Sequence, residues 1–341
     1  MTHRVSITEV ARELGLSVTT VSLVLNHKPG TRIAPATAQR VIETARKMGY
    51  TPNPTARTLR TGKSMTFGLL SDQVTVTRYA SPIISGAIDA GHDLGYMILI
   101  AEAANEPGDL GAAADLLVQR GVDGLVVALM AARHIDLPPL PDGLPVAIVN
   151  GVTDDPAVAS VLPDEDAGGH LAASVLLEAG HRDIALIGRS PRQNDPTFSV
   201  TVSTRFAGID RALAEAGVTP TGEYAEWQWE PDAGYHAAES LLADPERRPT
   251  ALIVGNDRLA LGVYTWAQSH GVAIGRDLSI VSFDDEPLAG YLRPGLTTVK
   301  IPYARMGACG VNALIDQSAQ GGCQLVPMPL ITRESVGTPR R

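Results

Sequence analysis

From residue 67 to near its end, the chain alternates short apolar runs with longer stretches of helical period, and no other feature restricts the possible folds so tightly. The runs fall at 67–71, 96–101, 124–128, 146–150, 184–188, 251–255 and 278–283. Each is continuously apolar, as in Leu125-Val-Val-Ala128, which suits strands covered on both faces. The stretches between them, at 82–94, 110–120, 168–179, 204–216, 233–242 and 258–270, repeat apolar residues at the spacing of one helix face. Strand and helix in alternation give parallel, doubly wound sheets of the α/β class. One sheet of about five strands needs roughly 120–150 residues. Residues 64–341 therefore hold two lobes, dividing near residue 162, with a C-terminal crossover near 285–300.

Ligands of such folds sit at the carboxyl ends of the strands, and with two lobes the site is the cleft between them. Polar residues stand where the apolar runs stop: Asp72, Asn150, the pair Asn256-Asp257 and the pair Asp284-Asp285. Any one of them also suits a turn or a helix cap. Together they form a candidate hydrogen-bonding ring.

The first 63 residues are of a different kind. They carry ten Lys or Arg against three acids, leaving 18 bases and 34 acids for the other 278, so a chain with a net charge of −9 has a head suited to a polyanion. Ser6-Ile7-Thr8-Glu9 has the spacing of a capping box, which predicts a helix from Ile7 to Leu14 ended by Gly15. Ser17 then caps a second helix over 18–25, with Val21, Val24 and Leu25 turned toward the first. A third helix over 35–48 opens on Pro35 and repeats Ala38, Val41, Ile42 and Ala45. An all-α, three-helix unit with a tight first turn and a positive charge lays one helix in the major groove of DNA, or else serves as a small dimerisation module. Residues 51–63 read as a hinge, with two prolines, Asn53 able to cap and about two helical turns over 54–60.

Several classes find no support. No apolar stretch nears the roughly 20 residues that span a bilayer. Residues 1–15 lack the apolar core of a signal peptide, so a cytoplasmic location is expected. Cys309 and Cys323 suit ordinary thiols rather than staples or a zinc site. The chain has no phosphate-binding glycine loop, no GxSxG turn and no HExxH pair, which argues against an enzyme, and no metal or cofactor is expected. His181, beside Gly180, reads as a structural residue.

The strings Ile7-Thr8-Glu9-Val10-Ala11, Gly15 through Asn26, Gly49-Tyr50-Thr51-Pro52-Asn53 and Ala56-Arg57-Thr58-Leu59 resemble the head of the lactose/galactose-repressor (LacI/GalR-type) family. The body resembles the family's sensor, related to type I periplasmic sugar-binding proteins, through Arg120-Gly-Val-Asp-Gly-Leu125, Asp164 with Gly168-Gly169, Gly180-His181-Arg182, Gly255-Asn-Asp257 and Phe283-Asp-Asp285. The resemblance implies a homodimer on a palindromic operator, with recognition helices in adjacent major grooves and hinge helices in the minor groove. Val18, Thr19 and Leu23 would face base edges, while Ser6, Ser17, Thr20, Ser22, Asn26 and Thr37 would hold phosphates. In the hinge, Asn53 and Ala56 accompany Leu59, which matches the leucine wedged between central base pairs. Leu23 stands where many members have Arg, so base reading would lean on thymine methyls and Thr19.

In the sensor the resemblance assigns effector contacts to Arg205, Asn256 and Asp284, with Trp229 as an aromatic able to stack on a sugar ring. Asp72, Tyr79 and Asp164 are further candidates, although the loop 73–80 departs from the family's Asn-Pro-Phe-Phe pattern. The expected function is a sequence-specific transcriptional repressor whose operator affinity is set by a small molecule, a sugar or related metabolite, held between the lobes. The alternatives on the same fold are an enzyme or a cytoplasmic small-molecule-binding protein. No leucine heptads follow Arg333, so the expected assembly is a dimer.

Overall fold

The computed structural model describes residues 5–25, 33–51, 58, 61–77, 80–103, 109–316 and 321–340, and divides into two compact units, 1–64 and 65–341. The first unit contains α1 (Ile7–Leu14), α2 (Val18–Leu25) and α3 (Pro35–Lys47). Helices of eight residues are unstable alone, so caps and a shared core carry them. The Glu9 amide donates to Ser6 Oγ at 3.3 Å, and the Ser6 amide returns to the Glu9 carboxylate at 2.7 Å. Gly15 ends α1 at φ 65°, a left-handed turn that a side chain would strain. Ser17 Oγ accepts the Thr20 amide at 3.0 Å and so starts α2. The three helices meet on Val10, Ala11, Val21, Val24, Val41 and Ala45.

The second unit holds two sheets of six strands rather than five. The first runs β11 (Cys323–Val326), β5 (Ala159–Pro163), β4 (Val146–Val152), β3 (Leu125–His134), β1 (Thr66–Asp72) and β2 (Met97–Ala103), all parallel. The second runs β12 (Leu330–Ile331), β10 (Thr297–Lys300), β9 (Ser279–Asp284), β8 (Ala251–Val254), β6 (Ile184–Ile187) and β7 (Gly222–Tyr224), with only β12 antiparallel. The strands unread in the sequence are short or polar, such as Thr297-Thr-Val-Lys300.

The chain passes between sheets three times, after β5, after β10 and again between β11 and β12. The second passage comes just past residue 300, and the third has no counterpart in the sequence reading. Helix Tyr303–Ala313 thereby returns to pack on β4, β5 and helix Pro82–Asp93 of the first lobe. Helices Glu165–Glu178 and Val202–Glu215 pack on each other in the second lobe, starting a few residues earlier than their apolar patterns suggest. Their crossing has no room for side chains: a Cβ on Gly169 would lie 1.9 Å from the Arg205 carbonyl oxygen, and one on Gly208 would lie 2.0 Å from that of Asp166. Among the described residues no helix is long and apolar enough to cross a membrane.

Candidate functional site

In the head, what the core leaves outside is the surface at issue. Val21 and Val24 are buried, which turns Ser17, Val18 and Thr19 outward at the start of α2, while Ser22 and Leu23 are half-buried. Val18 is 42% exposed, an apolar side chain that the head's own core does not take up. Ser6 already donates its hydroxyl to Glu9 at 2.8 Å, and Ser17 and Thr20 share a hydroxyl contact at 2.8 Å. Thr37 is half-buried in the first turn of α3. Asn26, Asn53, Ala56, Leu59 and Tyr79 lie outside the described residues.

In the body, a cavity of about 560 Å³ opens between the lobes, with Met130, Asn150 and Pro163 on one side and Arg205, Trp229, Asn256 and Asp284 on the other. Strands β3 and β4 slip out of register between Ala128 and Arg133, and Met130, Ala131 and Ala132 of that irregular stretch line the cavity. Asn150, at φ 63°, spends its amide on the carbonyls of Leu129 and Met130, both at 3.1 Å, and so pins this wall.

Arg205 is 2% exposed and forms a two-pronged ion pair with Glu165, Nε to Oε2 and Nη2 to Oε1, both at 2.6 Å. Its Nη1 donates to the Gly255 carbonyl at 2.6 Å, and its guanidinium lies 4.2 Å from the centre of the Phe283 ring. The glycine crossing of the two helices brings these partners together. Burial works against the charge on Arg205, but Glu165, together with Asp284 and Tyr303, outweighs it, so the group titrates above its ordinary range.

Asp284 closes β9 at φ 103° and Asp285 follows at φ 55°, two successive left-handed residues that are not glycine. Such conformations cost of order 1–3 kcal/mol each and persist only where their surroundings enforce them. The enforcement is visible. Buried Asp257 accepts the Glu286 amide at 2.8 Å, the Thr298 hydroxyl at 2.8 Å and the Ser282 hydroxyl, while Asp285 is held by Arg333 at 2.6 Å and Lys300 at 3.1 Å. Asp284 is thereby left to the cavity, where burial pushes its carboxyl well above the usual carboxylate range against the pull of Arg205.

The other candidates are more occupied. Asn256 caps helix Asp257–Ser269 through the Leu259 amide at 2.8 Å and gives its own amide to the Trp229 carbonyl at 3.4 Å, though it still lines the cavity. Trp229 anchors its indole N–H on the Gly188 carbonyl at 3.0 Å and presents its ring to the cavity. Asp72 pairs with Arg133, and Asp164 caps helix Glu165–Glu178 by accepting the Ala167 amide at 3.2 Å; neither is among the residues lining the cavity. His181 is a buried tie between Thr250 at 2.8 Å and the Gly337 carbonyl at 2.9 Å.

Sequence reasoning missed Glu165, Trp227 and Glu286, all of which line the cavity. The first directly follows Asp164, and only the phase of the helix decides which carboxylate turns inward. The second carried a usable signal: in Trp227-Gln-Trp229, residues two apart in extended chain share a face. Trp227 stands at the mouth with Arg192 4.1 Å over its ring.

A family model described as bacterial regulatory proteins, lacI family, matches residues 6–53, and one described as a periplasmic binding protein-like domain matches 173–336. The chain is 32% identical over 317 residues to an HTH-type transcriptional repressor PurR of Erwinia tasmaniensis, covering 92% of this chain and 90% of that one. It is 31% identical over 315 residues to catabolite control protein A of Priestia megaterium, covering 91% of each. Among solved structures, the Lac repressor bound to ONPG superposes with a TM-score of 0.72 at 25% identity, over 98% of this chain and all of that one.

Proposed function

The chain belongs to the lacI family of bacterial regulatory proteins, and on that premise we propose that it is a cytoplasmic, homodimeric transcriptional repressor whose grip on a palindromic operator is set by a small molecule in the cleft. Residues 1–50 are the reading head, 51–63 the hinge and 64–341 the sensor and dimerisation unit. The outward start of α2 supports Val18 and Thr19 as base readers, with Leu23 beside them and Ser6, Ser17, Thr20, Ser22, Asn26 and Thr37 on phosphates. Asn53, Ala56 and Leu59 enter the minor groove, with Leu59 as the wedge.

The observation that carries the sensor reading is the cavity itself. Its walls come from both lobes, with Arg205, Asp284 and Trp229 facing residues of the first sheet. A molecule there touches two bodies at once, so its binding energy depends on the angle between them. Ligand can shift the operator equilibrium only by its difference in affinity for the two arrangements, typically ~1–3 kcal/mol. Hydroxyl-rich ligands suit this lining, because carboxylates, amides and a stacking indole serve the polar edges and flat faces of a sugar. The PurR and Lac relatives are named as repressors, and regulation rather than catalysis is the function assigned.

The test is selection of bound duplexes from a random pool by the full chain, then titration of the winner against salt. A two-fold symmetric site with a steep salt slope is expected, and Leu59→Ala should weaken it far more than it weakens binding to random DNA. A pool that stays unenriched at every salt concentration, with and without a sugar library present, defeats the reading.

A further inference from the structure

We propose that the cleft is built for a ligand that carries a positively charged amine beside its hydroxyls. This rests on the sensor reading above and narrows it.

Among the described residues, the charged groups lining the cavity are four acids, Glu165, Glu230, Asp284 and Glu286, and two arginines, Arg205 and Arg258. Both arginines are already matched within the protein. Arg205 is held from two sides by Glu165, and Arg258 gives Nε to Glu230 at 3.0 Å together with Nη2 to the same oxygen. Two carboxyls are left over, two residues apart on one turn, and each faces the cavity. Glu286 is only 9% exposed, and its Oε1 is buried with no hydrogen-bond partner among the described residues. An orphaned acceptor so deeply enclosed costs free energy in the empty protein and is satisfied by a donor brought from outside. Asp284 faces the same space from the strained end of β9.

A phosphate or carboxylate brought here meets two surplus acids and no uncommitted arginine among the described lining residues. An ammonium supplies three donors and a compensating charge. The indole face of Trp229, which lines the same cavity, is a further favourable surface for a cation or for a sugar ring.

The experiment measures binding of glucose, glucosamine, glucuronate, glucose 6-phosphate and spermidine to the full chain by calorimetry, alongside thermal melting of the unliganded wild type, Glu286→Gln and Asp284→Asn. Glucosamine should bind about tenfold or more tighter than glucose, Glu286→Gln should erase most of that preference, and Asp284→Asn should reduce it. Unliganded Glu286→Gln should melt no lower than wild type, since an unsatisfied carboxylate is removed. Tighter binding of glucuronate or glucose 6-phosphate, equal binding of glucose and glucosamine, or a preference unchanged in Glu286→Gln overturns the inference while leaving the sugar reading intact. Binding of spermidine with no response to any sugar also overturns it, and the sugar reading with it, because that amine carries no hydroxyls. If no probe binds, melting decides: a clear fall in Glu286→Gln overturns the proposal, because the carboxylate then serves the fold, and a rise supports it.

Discussion

Head and body put their polar residues to opposite use. Among the described residues of the head, helix caps are the clearest structural use of polar groups, Ser6 with Glu9 and Ser17 with Thr20, while Val18 and Thr19 at the start of α2 stay exposed outside the core. In the body almost every candidate ligand contact also holds the protein together: Arg205 through Glu165 and Gly255, Asn256 as a cap, and Trp229 through its N–H on Gly188. The head can therefore change what it reads at little cost to its stability, whereas in the body a change at Arg205, Asn256 or Trp229 also disturbs the fold.

The sharpest way to break this contrast is Glu165→Ala. Removing one partner of a buried pair strands the other, so the body should lose about 3–5 kcal/mol in urea unfolding, with the head's transition unmoved. Loss below about 1 kcal/mol would mean the pair behaves like a surface one and the body is freer than claimed. Val41→Ala, at a fully buried position in a head core of six residues, should cost about 2 kcal/mol and appear as earlier melting of the head alone.

A pH titration probes the body from another side. Burial raises the Asp257 carboxyl to about 7 from an ordinary 3.8. The folded state therefore keeps a proton that the unfolded chain has released, and Asp257's contribution favours folding most below about pH 4 and declines as pH rises through about 7. Thermal melts of the body should fall across that window, with a shallower slope in Asp257→Asn. The smallest effect is expected from Ser6→Ala, which removes one cap and should lower the head's stability by about 1 kcal/mol, seen in the helical signal without change in the body.

The same contrast explains what could be read from the sequence. The ends of α1 were legible because Ser6, Glu9 and Gly15 act locally, through bonds spanning a few residues. The central strands were legible because burial on two faces leaves an unbroken apolar run. Strand β10 was not, because Thr297 and Thr298 are fully buried and satisfied from afar, by Ser335 and Arg333 for the first and by Asp257 for the second. Helix Tyr303–Ala313 was hidden by Gly307, a poor helix former that the close approach to the Ile83 carbonyl demands. In the site, Arg205 and Asp284 stood out in the resemblance, but Glu165 did not, since pairing across 40 residues leaves no mark in either neighbourhood.

The three passages between sheets also fix an order of birth. As the chain leaves the ribosome the head is complete by residue 64, but the first lobe is not finished when its first five strands are out. Its last strand, β11, and the helix Tyr303–Ala313 that covers β4 and β5 are made after nearly all of the second lobe. Until then the β4 and β5 side of one apolar face of that sheet lacks its covering helix, and the nascent protein is exposed to misassembly in just the interval when its basic head is already made. Synthesis that stalls before residue 303 should yield a product able to hold DNA through its head but sticky in its body, a liability that contiguous lobes would not carry.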